Sequence, residues 1–124
     1  MNKSLARVRN AHLEIQERGI LNFWINVDYE EFGSQGVGGI CLDTYDKKLE
    51  RRVGSAYGCE MIRQLLLVMG VNDFSEMKGK IIYVLHEGEG FNIKPKGIER
   101  LALDGGKSVV FDEVLNMFKD EVLK

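Results

Sequence analysis

Residues 54–70, GSAYGCEMIRQLLLVMG, carry the strongest helical signal in the chain. Ser55 is an N-cap residue, Met61, Ile62, Leu65 and Met69 fall on one face, and Gly70 stands where a left-handed C′ residue closes a helix. The spacing predicts a central packed helix. Upstream, residues 20–29, ILNFWINVDY, alternate with period two, placing Phe23, Ile25 and Val27 on one face and Asn22, Trp24, Asn26 and Asp28 on the other. Residues 30–39, EEFGSQGVGG, then read as a glycine-rich connection into a second strand, GICLDTY, with DKK as a further turn.

Downstream of the helix, NDFSEM suggests one short helical turn. GKIIYVLHE and GFNIKPKGIERL read as two strands around a GEG turn, and DGGK closes that section. Phe111, Val114, Leu115, Phe118 and Val122 form the stripe of a C-terminal helix, with Asp112 and Glu113 suited to its positive end. At the other terminus Leu5, Val8, Ala11 and Ile15 recur at helical spacing between Ser4 and Gly19, which predicts an N-terminal amphipathic helix. The order helix, two strands, helix, two strands, helix contains no βαβ alternation. The expected fold is α+β, a small and mainly antiparallel sheet packed on a central helix with N- and C-terminal helices.

The 124 residues, 44% of them hydrophobic and 29% charged, fit one α+β domain over residues 1–124. Seventeen basic against 19 acidic side chains leave a formal charge of -2, which argues against general binding to duplex nucleic acid. The start MNKSLARVRN is polar and lacks a secretory apolar region, so a cytoplasmic protein is expected. The longest apolar run, residues 65–71, falls far short of the roughly 20 residues of a membrane span. Cys41 and Cys59 have no metal-ligand spacing and read as reduced thiols.

The catalytic inventory is thin. His12 and His86 belong to no HExxH or His–Cys cluster, so no metal site is assigned. Cys59 near a helix start has no neighbouring base and reads as structural. Glu60 or Glu99 as the base of a phosphodiesterase stands in no motif. The glycines of GSQGVGG lie between strands, without the helix N-terminus that gives phosphate-binding loops their affinity. No catalytic residue and no cofactor is assigned.

Two segments carry binding chemistry. In RRVGSAYG, Arg51 and Arg52 precede a turn, the capping Ser55 and a helix start. Tyr57 could stack on a base, and Gly58 could let backbone approach a phosphate. The alternative is that Gly58 serves close helix packing and the arginines are solvated turn residues. In FNIKPKG, Phe91, Asn92 and Lys94 supply stacking, base-edge hydrogen bonding and positive charge, and Lys96 lies beyond Pro95. The alternative there is a core Phe91 beside ordinary surface lysines.

The stretches FGSQGVGGICLDTY, RVGSAYGCEMIRQLLLVMGV and DFSEMKGKIIYV, within roughly residues 20–90, resemble a group of small phage and prophage proteins similar to the Thoeris anti-defence sponge family. That resemblance implies a protein without turnover that sequesters a cyclic ADP-ribose-type signal made by bacterial TIR enzymes. It implies a homo-oligomer with pockets between subunits, acting in the cytoplasm of the host bacterium. The set offered for the cyclic adenine nucleotide is Phe91, Asn92, Lys94, Arg51, Arg52, Ser55, Tyr57 and Gly58. The segment VVFDEVLNMFKDEVLK departs from the expected pattern in offering no arginine to the phosphates. The competing expectation is a small phage protein that acts through protein–protein contact with a host defence complex or a virion component, with Trp24 and the terminal helices as interface elements.

Overall fold

The N-terminal segment departs furthest from its apparent periodicity. In the computed structural model, which describes residues 1–31, 33–102 and 106–119, Asn2–Ile15 is a 14-residue strand, β1, and not an amphipathic helix. Its pairing with β2 (Leu21–Tyr29) explains the error: Val8 lies opposite Val27, Ala11 opposite Ile25, Leu13 opposite Phe23 and Ile15 opposite Leu21. The register shifts once, between Val8 and Asn10, where an extra residue changes the phase of the alternation. The spacing of three between Val8 and Ala11 thereby imitates a helical step.

The glycine-rich stretch is a second correction. Gly33–Cys41 is a strand, β3, paired antiparallel with β2, rather than a loop leading to one. The Trp24 ring lies over it: a Cβ at Gly36 would stand 2.9 Å from that ring, and one at Gly39 2.6 Å. The glycines make room for the indole instead of supplying flexibility.

After β3 come a hairpin of β4 (Asp43–Asp46) and β5 (Arg51–Gly54), helix α1 (Ala56–Met69), and strands β6 (Ile81–Glu87), β7 (Lys94–Arg100) and β8 (Ser108–Val110). Helix α2 (Phe111–Met117) follows, with Asp112 and Glu113 in its first turn. The expected extension to Val122, and the Asp104 and Gly105 of the closing turn, lie outside the described residues. Six strands form one antiparallel sheet in the order β3-β2-β1-β6-β7-β8, and β4 pairs only with β5. The fold is α+β, with a mostly antiparallel sheet and two helices.

The core lies on one face of this sheet. Phe23, Ile25 and Val84 meet Met61 and Leu65 of α1 and Phe111 of α2, and the Phe23 and Phe111 rings meet edge to face at 5.7 Å. Helix α1 keeps both expected caps: Ser55 Oγ accepts from the Gly58 N–H, and Gly70 is left-handed at φ 68°. Its main neighbours are β7, β8 and α2, which sets it toward that side of the sheet rather than at its centre. Arg100 of β7 secures its C-terminal end, donating from Nε to the Val68 carbonyl at 2.7 Å and from Nη2 to that of Leu67 at 2.5 Å. Among the described residues no helix is long and apolar enough to cross a membrane.

The start of α1 is pressed against the end of β3. A Cβ at Gly58 would stand 1.8 Å from the Leu42 carbonyl oxygen, a backbone atom that side-chain rotation cannot move away. Gly58→Ala is therefore expected to destabilise the fold by about 3 kcal/mol, the upper part of the range for overpacking, read as a lowered urea midpoint at unchanged slope.

Candidate functional site

Asp43 is the residue from which the site is built. It is buried at the start of β4, and its Oδ2 accepts from the Leu21 N–H at the start of β2 at 3.1 Å. Its Oδ1 accepts from Arg52 Nε at 3.0 Å and Nη2 at 2.8 Å. The Cys41 thiol lies 3.2 Å from the same oxygen, and Tyr57 Oη donates to the Cys41 carbonyl at 2.7 Å. One carboxylate thus ties the β4–β5 hairpin to the sheet, while Tyr57 ties α1 to the same corner. Burial opposes ionisation of Asp43, but hydrogen bonds from Arg52, Cys41 and the Leu21 N–H outweigh it, and the carboxyl titrates below the ordinary aspartate range. Burial, reinforced by Cys41, pushes the Tyr57 phenol up to about 12.

With the hairpin held there, Arg51 and Arg52 reach a cavity of about 630 Å³ lined by Arg18, Gly19, Ile20, Tyr45, Arg51 and Arg52. Arg18 and Tyr45 were missed in the sequence. They lie 33 and 6 residues from Arg51, and only the pinning of hairpin to sheet brings the three together. Tyr45 is 55% exposed and directly opposite Arg52 across the hairpin. Arg52 is committed to Asp43, whereas neither Arg18 nor Arg51 forms an ion pair among the described residues. The cavity's excess positive charge therefore comes from Arg18 and Arg51.

Backbone strain converges on the same place. Among the described residues only Arg18 (φ 69°) and Glu50 (φ 55°) are non-glycine residues in the left-handed region. Arg18 lines the cavity, and Glu50 immediately precedes Arg51. Such conformations cost about 1–2 kcal/mol each and collect at functional sites.

The other sequence candidates fall elsewhere. Ser55 donates to the Leu42 carbonyl at 2.7 Å and accepts from Gly58 N–H, Tyr57 is buried, and Gly58 packs on Leu42, so all three serve the junction of α1 with the sheet. Phe91 and Asn92 lie not in a strand but in a 3-10 turn, Gly90–Asn92, with Lys94 opening β7. Of these three only Phe91 borders a cleft, of about 140 Å³, lined by Tyr29, Ser34, Gln35, Gly90, Phe91 and Ile93. This cleft adjoins Tyr29 at one end of β2, and the arginine cavity adjoins Leu21 at the other, roughly 27 Å away at the usual rise per residue. The two candidate sets do not converge within one chain. No group of three or more His, Cys, Asp or Glu side chains among the described residues could hold a metal ion.

The depressed Asp43 carboxyl contributes stability above its unfolded value of about 3.9, and loses it as pH falls through the lower folded value. Asp43→Asn is therefore expected to lower stability at neutral pH and to flatten the loss of stability below about pH 4, measured by urea unfolding between pH 2 and 7. Comparison of the chain with protein-family models, curated proteins and solved structures finds no match.

Proposed function

We propose that this protein binds an anionic nucleotide of the cyclic ADP-ribose class in the arginine cavity, holds it without turnover, and so depletes a TIR-generated defence signal in the host bacterium. The single observation that carries this reading is the convergence of Arg18, Tyr45, Arg51 and Arg52 on one cavity of about 630 Å³, within the 300–1,000 Å³ of small-molecule sites. Guanidinium groups pair bidentately with phosphate oxygens, the Tyr45 ring offers a stacking face for adenine, and Ile20 supplies an apolar wall. The sequence resemblance supports the choice of nucleotide. Phe91, Asn92 and Lys94 reach the same ligand only from another copy of the chain.

Sequestration demands slow release, so nanomolar affinity, about 12 kcal/mol, is the relevant scale. The test is to incubate the protein with cyclic ADP-ribose isomers, remove unbound nucleotide, denature the protein by heat and analyse the filtrate. Intact nucleotide in stoichiometric amount is expected. Recovery of a hydrolysed product, or no retention at micromolar protein, overturns the proposal.

The strained backbone supplies a second prediction. Arg18→Gly is expected to stabilise the fold by roughly 0.5–1 kcal/mol through relief at φ 69°, yet to weaken nucleotide binding at least about tenfold through loss of a charged hydrogen bond. Glu50→Gly relieves the second strained residue and is expected to raise stability alone. Thermal unfolding and calorimetric titration of both variants separate these effects.

A further inference from the structure

Strand β3 is an edge of the sheet, and alternation of the backbone fixes which of its groups lack a partner. The Val8 N–H donates to the Lys80 carbonyl at 2.8 Å, and the Val8 carbonyl accepts from the Gly79 N–H at 2.8 Å. Val8 thus bonds toward the β6 side of β1, and Arg7 beside it bonds toward β2. Arg7 faces Asp28, so the preceding residue, Val27, bonds toward β3, where it meets Gln35. Ser34 and Gly36, on either side of Gln35, therefore turn their N–H and C=O groups out of the sheet, and both residues are exposed.

Exposed edges are ordinarily blunted by charged side chains, proline, bulges or short length. The other edge, β8, has three residues. Strand β3 has nine, with neither a charged residue nor a proline among them, and its register irregularity, between Gly38 and Cys41, lies beyond Ser34 and Gly36. The stretch is also held in place. Ser34 Oγ donates to Asp28 Oδ1 at 2.6 Å, and Gln35 donates from Nε2 to the Ile93 carbonyl at 2.9 Å while its Oε1 accepts from Tyr29 Oη at 2.7 Å. An extended chain satisfies alternating outward N–H and C=O groups of this kind.

The cleft at the Ser34 end supplies selectivity. Its volume of about 140 Å³, between residues that include Ser34, Gln35 and Phe91, is well under the roughly 300–1,000 Å³ of small-molecule sites but leaves room for one apolar side chain. Phe91 is 97% exposed, although the Asn92 N–H closes its turn on the Glu89 carbonyl at 3.1 Å, so an anchored turn presents the ring where a partner's side chain can cover it. Gln35 shares the core face of β3 with the buried Val37. A residue of an added strand opposite Gln35 therefore projects its side chain to the side of the cleft. Glu30 and Glu31, exposed between β2 and β3, form no ion pair among the described residues and favour a basic residue at that end. The free stretch is too short to hold a second copy by itself, since stable interfaces bury roughly 1,200–2,000 Å². We infer that Ser34–Gly36 takes an extended peptide of a different protein as an added antiparallel strand, with one apolar side chain in the cleft beside Phe91 and a basic residue C-terminal to it, toward Glu30 and Glu31.

The probe is the capped peptide Thr-Val-Thr-Leu-Thr-Val-Lys, added to the full chain at about 1 mM, the weak end of the affinity scale, and read by amide NMR and hydrogen exchange. Exchange of the Ser34 and Gly36 amides is expected to slow at least about tenfold, while the Gln35 amide, already bonded to Val27, stays unchanged. Phe91→Ala is expected to weaken peptide binding about fivefold or more at unchanged thermal stability. The same peptide N-methylated at the amides that face the edge is expected not to bind, and the peptide with glutamate in place of lysine to bind more weakly. Absence of slowing at Ser34 and Gly36, full affinity in Phe91→Ala, or equal binding of either altered peptide overturns the inference. Slowing of the two amides without peptide, growing with protein concentration, also overturns it, because a second copy then occupies the edge.

Discussion

The structure depends on β1 being one of the two central strands of the sheet. It pairs through Ala6–Ile15 with β2 and through Asn2–Arg7 with β6, so the N-terminal residues meet partners 74 to 84 positions further along the chain. No smaller set of neighbouring elements closes the core, because Val8 and Ala6 sit between Val27 and Ile82 in the same apolar layer. Such non-local pairing delays the reward for chain ordering until distant strands meet, which slows folding relative to a helical protein of this size.

The arginine cavity follows from a second constraint, the buried carboxylate of Asp43. An ionised group at that depth is tolerable only because Arg52, the Leu21 N–H and the Cys41 thiol all face it. Satisfying Asp43 fixes where the small β4–β5 hairpin stands, and the hairpin brings Tyr45, Arg51 and Arg52 to the turn that carries Arg18. Arg52 is therefore structural and site-forming together. Arg18 and Arg51 remain available to an anion, and two left-handed non-glycine residues accompany that arrangement.

Legibility varied with how local the determining physics is. Helix α1 was readable because caps and period lie within 17 residues: Ser55 and Gly70 behave as their chemistry requires, and Met61, Leu65 and Met69 are buried. Strand β2 was readable because Phe23, Ile25, Val27 and Tyr29 are buried in alternation, although Asn22 of the other face is buried as well. Strand β1 was misread because a single bulge near Arg9 shifts the phase of an otherwise regular pattern, and β3 because glycine in a strand has no local signature when its cause is a tryptophan on the neighbouring strand. Among the site residues, the sequence pointed to Arg51 and Arg52 through their adjacency to a turn and to Phe91 through its polar neighbours. Arg18 and Tyr45 carried no signal, since nothing in their flanking residues reveals a shared cavity.

The amino-acid sequence by itself determined the α+β class, the extent of the main helix, the absence of a long apolar span and the kinds of side chain available for binding. These are consequences of composition and short-range periodicity. Tertiary structure alone decided that the N-terminal segment is a central strand, that Ser55, Tyr57 and Gly58 serve packing, that the arginines share a cavity with Tyr45, and that Phe91 lies at the opposite end of β2. The reason is physical: burial, register and the company a charge keeps are set by partners tens of residues away, and a bulge or a buried carboxylate redirects them without altering the local pattern.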